Sequence, residues 1–204
     1  MIAILLVMAM CLQTPAVSMC VEAATTTTTK KGLVEKNGKY YFYYKGKKIK
    51  NKWKTIRIDG KAYKYYFGKN GAAYAGKVIT SYGYKLGETL AVKKISGKSY
   101  GFNAAGQRVK GIQVSYDTSS GNLKFYAFSS KGVLNKTKTA KLRKAAKRGA
   151  DWAALKKLLG KPAASEYAEG CNEEGLDGIQ TYKNFTVTTH KYPDGREIVY
   201  EVIQ

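Results

Sequence analysis

Acidic residues, histidine, cysteine and proline are all scarce in this 204-residue chain, and each scarcity removes a class of function. The single histidine, His190, has no serine or cysteine motif near it, so nucleophile–base catalysis finds no candidate. Of the three cysteines, Cys11 and Cys20 fall in an apolar leader, which leaves Cys171 alone. One thiol forms no internal disulfide, and a zinc site needs more ligands. Cys171 lies among the carboxylates of "EGCNEEGLDG", an environment that blunts a thiol's nucleophilicity. Glu169, Glu173, Glu174 and Asp177 of that loop depart from the spacing of a calcium-binding EF-hand. No glycine-rich phosphate cradle or paired-carboxylate site stands out. Neither an enzyme activity nor a cofactor nor a metal is expected.

Fourteen acids stand against 36 Lys and Arg, for a formal net charge of +22. The excess is uneven. From Lys30 to Thr139, 25 cations face only Glu35, Asp59, Glu88 and Asp117, whereas from Lys161 onward eight acids outnumber four cations. A basic front and a mildly acidic tail imply two units with different surfaces. A charge of this size draws polyanions by long-range steering.

The compartment selects the polyanion. Ile2–Leu12 is an apolar run too short to span a bilayer, and "TPAVSMCVEAA" follows it. Val21 and Ala23 occupy the −3 and −1 places of a small-residue cleavage site, so residues 1–23 read as a secretory signal cut after Ala23, although no Lys or Arg precedes Lys30. Cys20 as a lipid anchor is disfavoured by the bulky Met19 before it. The mature chain then has no transmembrane span and is secreted or wall-associated. Residues 24–31 form a Thr-rich spacer.

An imperfect repeat fills residues 32–138. Its four segments are "NGKYYFYYKGKKIKNKW" (37–53), "DGKAYKYYFGKNGAAYAGKVI" (59–79), "SGKSYGFNAAGQRVKGIQV" (96–114) and "SGNLKFYAFSSKGVLNK" (120–136). Each holds a glycine turn, a short aromatic strand, a second glycine turn, then a lysine-rich or aliphatic strand. Each is expected to be a β-hairpin, and lone hairpins are marginal in water, so the units must stack. An insertion, 80–95, precedes the third segment, and its "TLAVKKI" offers a further strand.

Residues 139–204 change period. Trp152, Leu155 and Leu159 recur at helical spacing, Gly149 divides two helices, and the second starts near Asp151 and ends at Gly160 and Pro162. A three-stranded meander follows, with turns at Lys183-Asn184 and Pro193-Asp194-Gly195. Phe185 and Val187 are expected on one face, and Ile198, Tyr200 and Val202 on one face of the last strand. The fold class is therefore mainly β: stacked β-hairpin repeats, solenoid-like, followed by a small α+β domain.

The repeat grammar resembles the glucan-binding and choline-binding (cell-wall-binding) repeats of Gram-positive bacteria, close to "G-x-x-Y-Y-F-x-x-x-G-x-x-x-x-G-W". "GKSYGFNAAGQRVKG" (97–111) matches best, and the "YYF" runs at 40–42 and 65–67 fit less regularly. The resemblance spans Gly32 to Lys136 and implies attachment to wall polymers. Choline sites of that family are cages of tryptophans and a tyrosine, whereas this region holds Trp53 alone, and its lysines repel a cation. The C-terminal unit is similar to small α/β modules of clostridial secreted proteins, reminiscent of β-lactamase-inhibitor-like units. No catalytic residue follows from that similarity.

Two roles compete for the aromatics. Tyr41, Tyr43, Tyr66, Tyr100, Phe102, Phe125 and Tyr126 suit an inter-hairpin core, with tyrosine hydroxyls reaching solvent. Alternate residues face outward, however, and a ligand platform is expected among Tyr40, Tyr41, Trp53, Tyr65, Tyr66, Tyr100, Phe102, Phe125 and Tyr126. Lys45, Lys47, Lys48, Lys50, Lys52 and Lys54 are expected either to form a solvated face or to attract anionic wall polymers. Lysine–aromatic interleaving also suits single-stranded nucleic acid, but export argues against it and no such motif appears. The expected function is binding of cell-wall or extracellular polysaccharide. The alternative is a protein-interaction or inhibitor-like chain whose C-terminal unit binds and whose hairpins are a spacer.

Overall fold

The computed structural model describes residues 31–170 and 174–204. The leader, the spacer up to Lys30, and Cys171 and Glu173 of the acidic loop lie outside the described residues.

The front of the chain is a succession of two-stranded ribbons. β1 (Gly32–Lys36) pairs with β2 (Lys39–Tyr44), which also carries the two-residue β3 (Lys47–Lys48). Then come β4 (Lys52–Ile58) with β5 (Lys61–Phe67), β6 (Val78–Ser81) with β7 (Tyr84–Glu88), β8 (Ala91–Ile95) with β9 (Lys98–Phe102), and β10 (Gly111–Tyr116) with β11 (Leu123–Phe128). Five two-residue turns, Asn37-Gly38, Lys45-Gly46, Asp59-Gly60, Tyr82-Gly83 and Ser96-Gly97, have positive φ at both positions. That backbone matches the right-handed twist of the strands it joins.

Pairing differs from expectation in one respect. Each aromatic strand pairs mainly backward, across its first glycine turn, with the strand before it, so β5 faces β4 in register Trp53↔Tyr66 and Thr55↔Lys64. The second glycine turn instead starts a short return segment that reaches the previous ribbon. Ala73 N donates to Tyr40 O (2.8 Å), Arg108 N to Lys64 O (2.8 Å) and Leu134 N to Ser99 O (2.8 Å). The three return turns have the same hydrogen bonds: Gly71 N to Gly68 O, Gly106 N to Asn103 O and Gly132 N to Ser129 O. These links stack the ribbons. The insertion supplies more than one strand: β6 and β7 make an additional hairpin, and β8 becomes the partner of β9.

Two helices follow. α1 (Lys136–Ala145) is capped by Asn135, whose Oδ1 accepts from Lys138 N at 2.8 Å, and α2 (Trp152–Leu159) by Asp151, which accepts from Ala153 N and Ala154 N. They cover an antiparallel sheet in the order β12 (Ala164–Glu169), β13 (Leu176–Thr181), β14 (Thr186–Lys191), β15 (Glu197–Ile203). The expected meander thus has a fourth strand. β12 is polar and exposed throughout, an edge strand held by pairing to β13 rather than by burial, so no apolar alternation marks it. The last strand also departs from simple alternation. A register shift opposite Thr188 and Thr189 leaves Tyr200 unpaired, and Val199 is buried while Tyr200 is exposed. Ile198, Tyr200 and Val202 therefore do not share one face.

The largest core does not stop at the expected division after residue 138. Val114, Phe125 and Ala127 of β10 and β11 join Leu142, Trp152, Leu155, Phe185, Val187 and Val199 in one buried cluster. Phe125 and Phe185 meet edge to face at 5.1 Å. Thr139 Oγ1 accepts from Ala127 N at 3.0 Å and donates to Asn135 O at 2.7 Å, fastening α1 to β11. The last ribbon is in this way the floor of the C-terminal unit. Tyr182 closes the other side: its hydroxyl donates to Gly160 O at 2.8 Å, and burial pushes its phenol up to about 12.

Phe125→Ala is expected to cost about 3–5 kcal/mol, because it opens a cavity in this shared core. Urea titration followed by Trp fluorescence and circular dichroism measures it. A loss below about 1 kcal/mol, the size of an ordinary surface change, contradicts the shared core.

Candidate functional site

The nominated aromatics separate into two sets. Tyr65, Phe102 and Phe125 are buried. They are core, and the expectation that they form part of a ligand platform is corrected on that ground. Tyr40, Tyr41, Trp53, Tyr66, Tyr100 and Tyr126 are half-buried.

Trp53 is the centre of the array. It lies edge-on to Tyr66 (5.2 Å) and Tyr100 (5.0 Å) and stacks on Phe102 (5.9 Å). Tyr74, from the return segment after β5, stacks on Tyr66 (5.4 Å) and meets Phe102 edge-on (5.9 Å). One aromatic cluster therefore joins the β4–β5 and β8–β9 ribbons across the insertion. Phe42 and Phe67 (6.2 Å) join the first ribbon to the second.

The ring faces are already occupied by the protein's own cations. Lys64 Nζ stands 5.3 Å and the Arg108 guanidinium carbon 5.8 Å from the Trp53 ring centre. Lys48 lies 4.3 Å over Tyr41, Lys54 5.2 Å over Phe42 and Lys93 5.9 Å over Tyr74. Lys48 is further fixed by its stem, which packs against the backbone at Gly71; a Cβ there would meet Lys48 Cδ. These contacts are each worth about 0.5–1 kcal/mol at exposed positions.

Of the other nominated lysines, Lys45 sits 5.8 Å over Tyr44, and Lys47, Lys50 and Lys52 are exposed. Among the described residues of 31–138, ion pairs hold only Lys85, with Glu88 at 2.8 Å, and Lys124, with Asp117. Hydrogen bonds from Lys124, Ser120 and Ser119 keep the Asp117 carboxyl well below the usual carboxylate range. Among the described residues, the remaining cations of 31–138 form no ion pair.

Sequence reasoning missed the most open rings. Tyr82 is 98% exposed, Tyr84 77% and Tyr44 59%. Tyr82 sits in the left-handed region (φ 46°) at the first turn position of the β6–β7 hairpin, a place usually taken by Asn or Asp. Only the alternation in "SYGYKLG" signals that hairpin.

No cluster of three or more metal-ligating side chains exists among the described residues. His190 is buried on β14, with Nδ1 at 2.7 Å from Asp177 Oδ1 and Nε2 at 3.3 Å from Glu174 O. No described helix is long and apolar enough to cross a membrane.

No protein-family model and no curated protein matches the chain. Among solved structures, it is similar to CbpF in complex with ipratropium, at 16% identity and a TM-score of 0.19, over 82% of this chain and 53% of that one. It is also similar to alternansucrase in complex with isomaltotriose, at 16% identity and a TM-score of 0.22, over 74% of this chain and 15% of that one. A third is the modular autolysin LytC from Streptococcus pneumoniae, at 11% identity and a TM-score of 0.20, over 81% and 37%. The chain spans about half the length of the first and less of the others. Similarity at this level assigns no function.

A quaternary ammonium needs a vacant ring face, and the faces measured above carry ammonium or guanidinium groups. Choline added in the millimolar range is expected to leave Trp53 emission unchanged in the Trp152→Phe protein. Saturable quenching contradicts the occupied-face geometry.

Proposed function

We propose that the chain is an exported, non-enzymatic binding protein whose hairpin array attaches to cell-wall or extracellular polysaccharide bearing negative charge. The observation that carries this reading is the pairing of half-open rings with cations that lack carboxylate partners. A partly exposed ring beside an ammonium group suits a sugar carrying an anionic substituent: the exposed part of the ring packs on the sugar's C–H groups and the cation meets the anion. A cationic ligand is repelled at the same place. Equivalent positions recur from ribbon to ribbon, so a polymer engages several weak sites at once and gains avidity. The open rings of Tyr44, Tyr82 and Tyr84 extend the contact surface. In this reading residues 32–138 are the binding array and the C-terminal α+β unit is displayed beyond it, sharing its floor with the last ribbon.

A second reading rests on a different surface. The sheet face away from the helices exposes Ile179 and Tyr200 beside a cleft of about 520 Å³ lined also by Asp177, Thr188 and His190. A cleft that sets exposed apolar side chains among polar and charged ones suits a protein partner, with the hairpins as spacer.

Sedimentation of the full mature chain with purified Gram-positive walls separates the two. Retention is expected at about 0.1 M salt and is expected to be lost towards 1 M, as the screening length falls from about 10 Å to about 3 Å. Replacing Lys45, Lys47, Lys50 and Lys52 together by Gln is expected to lower retention several-fold without unfolding the protein. Retention indifferent to salt and to the four substitutions, but abolished by Ile179→Asp, selects the second reading.

A further inference from the structure

We propose a discrete site for a phosphorylated sugar unit in the cleft between the β10–β11 turn and the end of α1. This cleft, about 540 Å³, is lined by the last ribbon together with the C-terminal unit, and it does not depend on the polysaccharide reading of the array. It is bounded by Arg143, Lys147 and Arg148 on one side, by Ser120 and Asn122 on the other, and by β15 at Tyr200 and Glu201. Its size fits a hexose with one phosphate.

Its two guanidinium groups are built in, not merely nearby. Arg143 Nε donates to Phe125 O at 2.9 Å, and its guanidinium carbon lies 4.3 Å from the Tyr126 ring centre. Arg148 stacks at 3.9 Å on Tyr200. The backbone next to Arg148 is tied to β15 on both sides of Val199: Gly149 N donates to Val199 O, and Val199 N to Ala150 O, each at 2.8 Å. Both planar forks are thus held before any ligand arrives.

Neither fork is neutralised. Among the described residues no carboxylate pairs with Arg143, Lys147 or Arg148, although Glu201 lines the same cleft. The fourth cation there, Lys124, is already engaged by Asp117. Arg143 has spent its Nε on the protein, which leaves its terminal nitrogens as donors. Two ring-held guanidinium groups and the Lys147 ammonium line one cleft, and a phosphate group, which accepts bidentate pairs, matches such donors. The Asn122 amide and the Glu201 carboxylate, which line the same cleft, match sugar hydroxyls, which both donate and accept.

Titration calorimetry of the full mature protein with glucose, inorganic phosphate, glucose 6-phosphate and poly(glycerol phosphate) tests the site. Glucose 6-phosphate is expected to bind saturably, glucose not at all and inorganic phosphate more weakly. Arg148→Gln is expected to weaken glucose 6-phosphate binding about tenfold or more, the size of one lost charge-assisted pair. Arg148→Lys is expected to recover only part of it, because it returns the charge without the fork. Arg143→Gln is expected to act likewise; if it disturbs folding through Phe125, the exposed Arg148 variants decide alone.

Poly(glycerol phosphate) competing with glucose 6-phosphate identifies a phosphodiester polymer as a source of the group; failure to compete restricts the site to terminal phosphates. Binding that is absent in the native protein, unchanged in Arg148→Gln, or equal for glucose and glucose 6-phosphate overturns the proposal. The Lys45, Lys47, Lys50 and Lys52 variant is expected to retain this binding, so failure of the array reading and failure of this site are distinguishable.

Discussion

An ammonium or guanidinium group resting on an aromatic ring is the interaction on which the front half of this molecule depends. In residues 30–139, 25 cations face four acids, and such a density cannot be relieved by ion pairing. The hairpins relieve part of it by directing cations over rings: Lys48 over Tyr41, Lys54 over Phe42, Lys64 and Arg108 over Trp53. Each such contact desolvates a hydrocarbon stem and leaves the charged head near water. Trp53 carries its two cations while also packing on Tyr66, Tyr100 and Phe102, so one ring serves both packing and charge. Packing and charge therefore solve one another, and the residual positive field points outward.

That solution requires the ribbons to stack in a fixed way, and the stacking is a backbone device. Each return segment donates one N–H to the ribbon before it, at Tyr40, Lys64 and Ser99, and the residues beside those bonds are the ones whose rings or cations meet. The register of the ladder sets which cation covers which ring. At its far end the array does not terminate freely. β10 and β11 are absorbed into the core of the C-terminal unit, so a hydrophobic cluster centred on Phe125, Leu142 and Trp152 replaces the aromatic–cation packing of the earlier ribbons.

Much of this was legible in the sequence because it depends on local chemistry. Asn-Gly, Asp-Gly and Ser-Gly specify the turn backbone directly, Asp151 and Gly160 bracket a helix, and Pro193-Asp194-Gly195 closes a tight turn. What was not legible depends on pairing between distant segments. Nothing local tells whether an aromatic strand pairs with the strand before it or after it, since glycine turns flank both sides. The edge strand β12 has no buried residue to reveal it, and the irregularity at Tyr200 arises only when β15 is laid against Thr188 and Thr189. Alternation correctly implied two faces for the aromatic strands but did not say which was inward: neighbouring Tyr65 and Tyr66 fall on opposite sides, one core and one half-open. The ring-capping roles of Lys93 and Arg108 were hidden too, because they reach rings outside their own ribbon.

If the cationic surface is the binding surface, an anionic polymer must do for the folded array what its own acids do not. The direct measurement is the thermal midpoint of the protein with polygalacturonate and with neutral dextran of matched length, at low and at high salt. The expected result is a clear rise with polygalacturonate at low salt, little change with dextran, and disappearance of the difference near 1 M salt, where screening is strong. A midpoint raised by dextran but not by polygalacturonate would contradict the account.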